Sequence, residues 1–249
     1  MNTIEFSQRF DTLLNSGKDY TQYGITQGSV IKLNEYEKSL YLTTAQEDIV
    51  LGLVSGKNQF GDSFEKNEEV RRYLQPLLFT EELTEQVTTE GGISPYSQFY
   101  SLEDLTNEDI WYIVYEQAKI GSKNRVTEVK PKSHNEIHDV LENPFKTNFL
   151  RRTFRLDVND YGDKLVELIN SNTIVSYKVR YLKRPNPIVL EDFDVVSING
   201  VKIQTECELH ESLHSAILLR AYEIALQAYA VARGMTPPQQ GRKENDSNK

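Results

Sequence analysis

The sequence predicts an α+β fold: a helical N-terminal half, a mostly antiparallel sheet in the C-terminal half, and a long C-terminal amphipathic helix. Three observations carry this. Apolar residues recur at helical spacing through the first half, the period changes to two near residue 125, and helical spacing returns from about Cys207 to Arg233.

Taken in order, Ile4 to Leu14 is a short amphipathic segment, and Thr43–Glu47 opens a second helix. There Thr44 and Glu47 are spaced as a capping box, with Ile49, Val50 and Leu53 following on one side. Phe64 to Leu78 is helical, with Val70, Leu74, Leu77 and Leu78 apolar and Pro76 placed to bend or end it. Ser101–Asp104 starts a further helix through Ile110, Trp111, Ile113, Val114 and Ala118. Strands follow at Arg125–Val129, Phe149–Val158 and Thr173–Leu182. In the last, Val175, Tyr177, Val179 and Tyr181 face one way and Ser176, Lys178 and Arg180 the other, as in a half-buried sheet. Pro185 and Pro187 make Ile188–Leu190 a separate or edge piece. Val195–Ile198, Asn199–Gly200 and Val201–Ile203 form a tight hairpin with a type I′ turn. The expected division is an N-terminal helical or extended segment at 1–60, a main α+β domain at 61–233 and a disordered, Pro-containing polar tail at 234–249.

A chain of 249 residues with 38% hydrophobic and 26% charged residues can bury a real core. Its formal charge of -9 gives it no general attraction for nucleic acid or anionic membrane. The 14 tyrosines and 10 phenylalanines suit surfaces where apolar area is buried beside a polar edge. Cys207, the only cysteine, excludes an internal disulfide framework. The start has no basic region followed by an apolar core, and no stretch approaches a membrane span, so a soluble product made in the cytoplasm is expected.

One string looks catalytic. His210-Glu211-Ser212-Leu213-His214 matches the zinc protease pattern, in which two histidines one helical turn apart share a metal and the glutamate acts as base. Both histidines fall on or beside the apolar stripe Leu213, Ile217, Ala221, Ile224, Ala228 and Val231. The third ligand is missing. Positions 217 and 220 are Ile and Arg, Ala230–Gly234 holds no carboxylate, and Glu223 points roughly 140–180° away from the pair. His134 and His138 could complete only a closed structural site. The favoured reading is two partly buried histidines near a helix start, with Glu206, Glu208 and Glu211 suited to its N-terminal dipole and Thr205 and Glu208 spaced as its capping box. Cys207 with His210 as a nucleophile pair is weaker than burial of the thiol. Gly91-Gly92 is a loop hinge, and Gly52 and Gly56 lack the Gly-Lys-Ser/Thr ending of a phosphate loop. No catalytic, cofactor-binding or metal-binding residue is assigned.

Positive charge concentrates at Arg151, Arg152 and Arg155 and at Lys178, Arg180, Lys183 and Arg184. These residues are a solvated sheet face, a surface pairing with acidic residues of a neighbouring subunit, or the lining of a nucleic-acid channel. The net negative charge weakens duplex binding, while mutual recognition between identical acidic chains suits the patch.

Several segments in order resemble virion structural proteins of crAss-like tailed phages, which infect gut Bacteroidota. They are Phe64-Glu65 through Arg71-Arg72-Tyr73-Leu74-Gln75-Pro76-Leu77-Leu78, Asp109–Glu116, His134–Ile137, Asn143–Lys146, Tyr177–Ile188, and Cys207-Glu208-Leu209 leading to His214. Together they span about residues 60 to 230. The resemblance implies a non-catalytic ring-forming head-to-tail connector or tail protein around the DNA channel. Its implied partners are further copies of itself, with twelve as the family-level number, the portal and other neck or tail proteins, and passing DNA, with no membrane and no cofactor. It also implies Pro at the position of His210, which rules out a required zinc ligand there, and a packing or interface role for His214. The rival class is a cellular adaptor module of the same fold; an HExxH-type zinc metalloprotease comes last.

Overall fold

A computed structural model describes residues 1–16, 31–57, 64, 66–89, 91–102, 110–143, 145–160 and 163–232. The tail expected at 234–249 and Glu103–Asp104 of the helix start expected at Ser101 lie outside them. In chain order the elements are α1 (Thr3–Asn15), α2 (Glu35–Ser55), α3 (Glu68–Leu74), a 3-10 turn (Gln75–Leu77), β1 (Leu78–Leu83), β2 (Ser97–Ser101), β3 (Ile110–Ile120), β4 (Arg125–Pro131), α4 (Ile137–Glu142), β5 (Arg152–Asp160), β6 (Asp163–Ile169), β7 (Ile174–Lys183) and α5 (Glu211–Ala232). This is the α+β architecture expected, with a long C-terminal helix. The chain divides into two compact units, residues 1–76 together with the chain from Pro185 onward, and residues 77–184.

The first unit is helical. Asn2 caps α1 by accepting from Glu5 N, and Asn34 and Glu37 form a reciprocal capping box on α2. The predicted box at Thr44 is therefore displaced: Thr44 lies inside α2, and its hydroxyl donates to the Leu40 carbonyl. Phe6, Phe10 and Leu14 on α1, Leu42, Val50 and Leu53 on α2, and Leu213, Ile217 and Ala221 on α5 are buried. Further along α5 the buried stripe runs through Ala225, Leu226 and Ala230, whereas Val231 is exposed. Steps of four drift about 40° each around a helix, so the true stripe winds rather than running straight.

Lys38 is buried between α1 and α2, with Nζ 2.7 Å from Asp11 and 2.9 Å from Glu35. Burial alone pulls this ammonium down, but the bonds to Asp11 and Glu35 outweigh it and hold the pKa above its usual value. The extended piece at 186–190 lies along α2, where Gln46 donates to Asn186 O at 2.8 Å and Ser39 Oγ accepts from Leu190 N at 3.0 Å.

The second unit is one seven-stranded sheet in the order β1-β7-β3-β4-β5-β6-β2, antiparallel except for the parallel pair β4–β5. Just past β1, Val87 bridges Phe99 of β2, and Gln86 Nε2 donates to Gln98 and to the Ile174 carbonyl. The two edges thereby meet and the sheet curls on itself. Tyr100, Ala118, Val129, Val166, Leu168, Tyr177, Val179 and Tyr181 fill the inner face. On the outer face, α4 covers Phe154, Leu156 and Ile169 with Ile137 and Val140. Asn170, fully buried, donates to Phe149 O, Arg152 O and Thr153 Oγ1, pinning the start of β5.

Three further elements differ from expectation. Ile110–Ala118 is strand, not helix. The predicted hairpin is a single bridge, Ile198–Val201, around the expected turn, with Asn199 at φ 49° and Gly200 at φ 84° as type I′ geometry requires. The last helix begins at Glu211, so the capping box proposed at Thr205 is absent; Thr205 instead bridges Val189.

Candidate functional site

The histidine pair does not form a metal site. His210 lies just outside α5, where its carbonyl accepts from Leu213 N at 2.9 Å and its Nδ1 from Ser212 N at 3.3 Å. It serves as the helix cap. His214, buried in the first turn, has both ring nitrogens engaged. A carbonyl can only accept, so His214 Nε2 donates to Leu209 O at 3.0 Å, which leaves Nδ1 to accept from the Met1 ammonium at 2.7 Å. Phe6 packs against the same ring, 5.4 Å between centroids. His134 is likewise committed, donating from Nε2 to the Asp157 carbonyl. Among the described residues no group of three or more His, Cys, Asp or Glu is placed to hold a metal.

Burial lowers the His214 pKa and the nearby N-terminal ammonium adds to this, against the Leu209 carbonyl. The fold therefore prefers the neutral ring. Above the unfolded value both states are neutral and stability is full; as pH falls through that value the unfolded chain takes up the proton first, and stability drops until the folded ring also titrates. Urea midpoints of the wild-type protein should fall between about pH 7 and about pH 5 by more than those of His214→Gln.

Cys207 carries no nucleophile. Its thiol donates to Gln46 Oε1 at 3.2 Å, and burial pushes its pKa up to about 11. Iodoacetamide at about pH 8 should alkylate the folded protein roughly two orders of magnitude more slowly than the urea-unfolded chain.

The basic residues separate by strand parity. Thr153 and Arg155 face inward and Arg152 is exposed on the other side of β5. Arg155 is only 8% exposed; its Nη1 lies 2.9 Å from Glu116 and its Nε 3.2 Å from Asp157, although neither nitrogen is aligned for a hydrogen bond. The Tyr177 hydroxyl donates a short hydrogen bond to Glu116. Burial raises the Glu116 pKa against the opposing pull of Arg155 and Tyr177. Sequence reasoning missed this cluster because its members lie on three strands, β3, β5 and β7. Lys183 is also buried, its ammonium 5.3 Å over the Phe79 ring.

Lys178 and Arg180 remain on the outer face of β7, with β1 on one side and β3 on the other. Register aligns Glu82, Lys178, Gln117, Glu128 and Arg152 as one cross-strand row, and Thr80, Arg180 and Tyr115 as another. Thr80, Tyr115, Gln117, Lys178 and Arg180 line a shallow depression of about 80 Å³. Glu82 is occupied by Lys119 at 2.6 Å and by Ser176, and Arg180 donates to Thr80 Oγ1. Among the described residues no carboxylate lies within ion-pair distance of Arg180 or Lys178. Arg151 and Arg152 are exposed at the start of β5, which β3 and β4 separate from β7, beside the exposed Leu150.

A sheet face that presents tyrosines and cations together suits contact with another protein surface. Over residues 1–236 the sequence matches the phage tail ring protein 3/4 family. The chain belongs to that family. It is 39% identical over 234 residues to Ring protein 3 of Bacteroides phage crAss001, covering 91% of this chain and 95% of that protein. It is 32% identical to Ring protein 4/5 of the same phage over 236 residues, covering 92% and 94%. As a phage tail ring protein it is a non-catalytic structural component of the virion that assembles with copies of itself. The protease-like string in this ring protein is a capping histidine followed by a packed one. Among its described residues no helix is long and apolar enough to cross a membrane.

Proposed function

We propose that this ring protein acts as a head-to-tail connector or tail ring of twelve copies stacked around the DNA channel, between the portal and the rest of the tail. On this reading it is made in the host cytoplasm and acts by geometry, holding a lumen open and fixing subunit spacing. The observation that carries the reading is the family match across almost the whole chain, together with a sheet that presents Lys178, Arg180, Tyr112 and Tyr115 outward. A closed ring needs two different patches on each chain, one meeting the other on the next copy. The net charge of -9 favours a protein partner over duplex DNA for the cations of β7, because phosphate binding scales with the cations a surface presents. Exposed Arg151 and Arg152 are proposed as further contact residues; Arg155 and Lys183, buried in the sheet unit, and His214, buried in the helical unit, are proposed to act by packing.

Negative-stain imaging and mass measurement of the purified protein test this. Rings with a central hole and about twelve subunits are expected, twelve being a closed symmetric assembly. Antibodies to the protein should decorate particles at the head–tail junction; decoration of the capsid shell or fibres alone would overturn the placement.

A further inference from the structure

Two surfaces, one on each compact unit, are complementary in charge and in apolar content. On the helical unit the ribbon from Leu190 to Thr205 exposes Val195 at 89%, Ile203 at 69% and Val196 at 42%. Glu191, Asp192, Asp194 and Glu206 are exposed around them, with Lys202 the one cation in the ribbon. A solvated loop has no use for three exposed β-branched residues. The ribbon is also held rigidly. Val189 pairs with Thr205, Phe193 N donates to Lys202 O at 2.8 Å, Gln204 N donates to Asp192 at 2.6 Å, and Asn199 reaches Glu47 of α2 at 3.2 Å. Ile198 is buried, and Phe193 packs edge-on against Tyr36. A segment fixed this firmly loses little entropy on docking.

On the sheet unit the outer face of β1, β7 and β3 offers the opposite chemistry. Lys178 and Arg180 flank Tyr115, which is half exposed, and Tyr112 lies further along β3. The depression between Thr80, Tyr115 and Arg180 is open to one small branched side chain.

We infer that the acidic, Val195-tipped ribbon of one copy docks on the β1–β7–β3 face of the next, with Val195 against Tyr115 and Asp194 facing Arg180. The contact is heterologous, as a ring requires, and each unit of the chain supplies one half of it. The occupant is a second copy because the acidic and basic patches belong to the same sequence and the family is ring-forming. The inference rests on the ring-forming reading above.

Disulfide trapping tests it. In a Cys207→Ser background, Tyr115→Cys and Val195→Cys are made as separate proteins. Mixing the two under mild oxidation should give a disulfide-linked dimer that neither gives alone, and a protein carrying both changes should give a ladder of linked subunits. Separately, Arg180→Glu and Asp194→Arg should each raise the concentration needed for assembly by roughly tenfold, and the combined charge swap should restore it. Helix and sheet content by circular dichroism shows that each variant is folded. If rings form but no mixed disulfide appears and the swap restores nothing, this contact is overturned while the ring reading stands. A folded wild-type chain that stays monomeric at every concentration overturns both.

Discussion

Arg155→Leu is expected to destabilise the sheet unit by about 3–5 kcal/mol, because it strands the Glu116 carboxylate inside the curled sheet without its counter-ion. Glu116 and Arg155 are both nearly sealed from solvent, 2.9 Å apart at their closest atoms. Burial already raises the Glu116 pKa with Arg155 in place, so removing the cation leaves burial opposed mainly by the Tyr177 hydroxyl and drives it higher. For a carboxyl whose folded pKa exceeds its unfolded one, the cost is full above the folded value and disappears as pH falls below the unfolded value. The Arg155→Leu deficit should therefore shrink on acidification, relative to the wild type. Adding Glu116→Gln should recover most of the loss at neutral pH, since a neutral amide still accepts from Tyr177. Urea unfolding of the wild-type, single and double variants at two pH values measures this. Equal losses in single and double variants would show that Arg155 acts through its packed methylenes and not through its charge.

Strand parity explains how much of this was legible in the sequence. A period of two over 150–158 places Arg155 on the opposite side of the strand from Arg152, but periodicity cannot say that both faces of a strand are covered. Here the curled sheet buries Thr153 and Arg155, and α4 buries Phe154 and Leu156. The asparagine–glycine turn and the first turns of the helical stripe, Leu213, Ile217 and Ala221, were legible because each is a local pattern; beyond Ala221 the stripe departs from the one expected. The segment 110–118 was not. Ile110, Trp111, Ile113, Val114 and Ala118 carry helical spacing because register shifts between Ile110 and Tyr112 and between Ile113 and Tyr115 break the period of two. A run rich in β-branched and aromatic residues was the signal that argued for strand there. The same effect near Ile120 leaves Val175 exposed and turns Ile174 inward. β1, with its Thr-Glu-Glu centre, is too polar to announce itself; only its pairing with β7 makes it a strand. The apolar ribbon around Val195 was visible as a turn, but its exposure is a tertiary fact, and with it half of the proposed contact.

Phe10→Ala is expected to cost about 3–5 kcal/mol, the range for a large aromatic side chain removed from a closed core. Phe10 is fully buried on the face of α1 that also carries Phe6 and Leu14, and α1 packs against both α2 and α5. Ile4, on the same helix and 63% exposed, is the matched control: Ile4→Ala should change stability by no more than about 0.5 kcal/mol. Helix propensity cannot produce that difference, since alanine is at least as good a helix former as either residue it replaces. The contrast therefore reads docking alone, through the urea midpoint of the helical signal. If the two variants proved equally mild, α1 would be an appendage that orders only against a neighbouring copy. A large gap makes residues 3–15 part of the platform that carries the Val195 ribbon, because Thr3 on this helix also receives a short hydrogen bond from Gln204 at the ribbon's base. Phe10→Ala should then weaken ring assembly as well as stability, while Ile4→Ala leaves both unchanged.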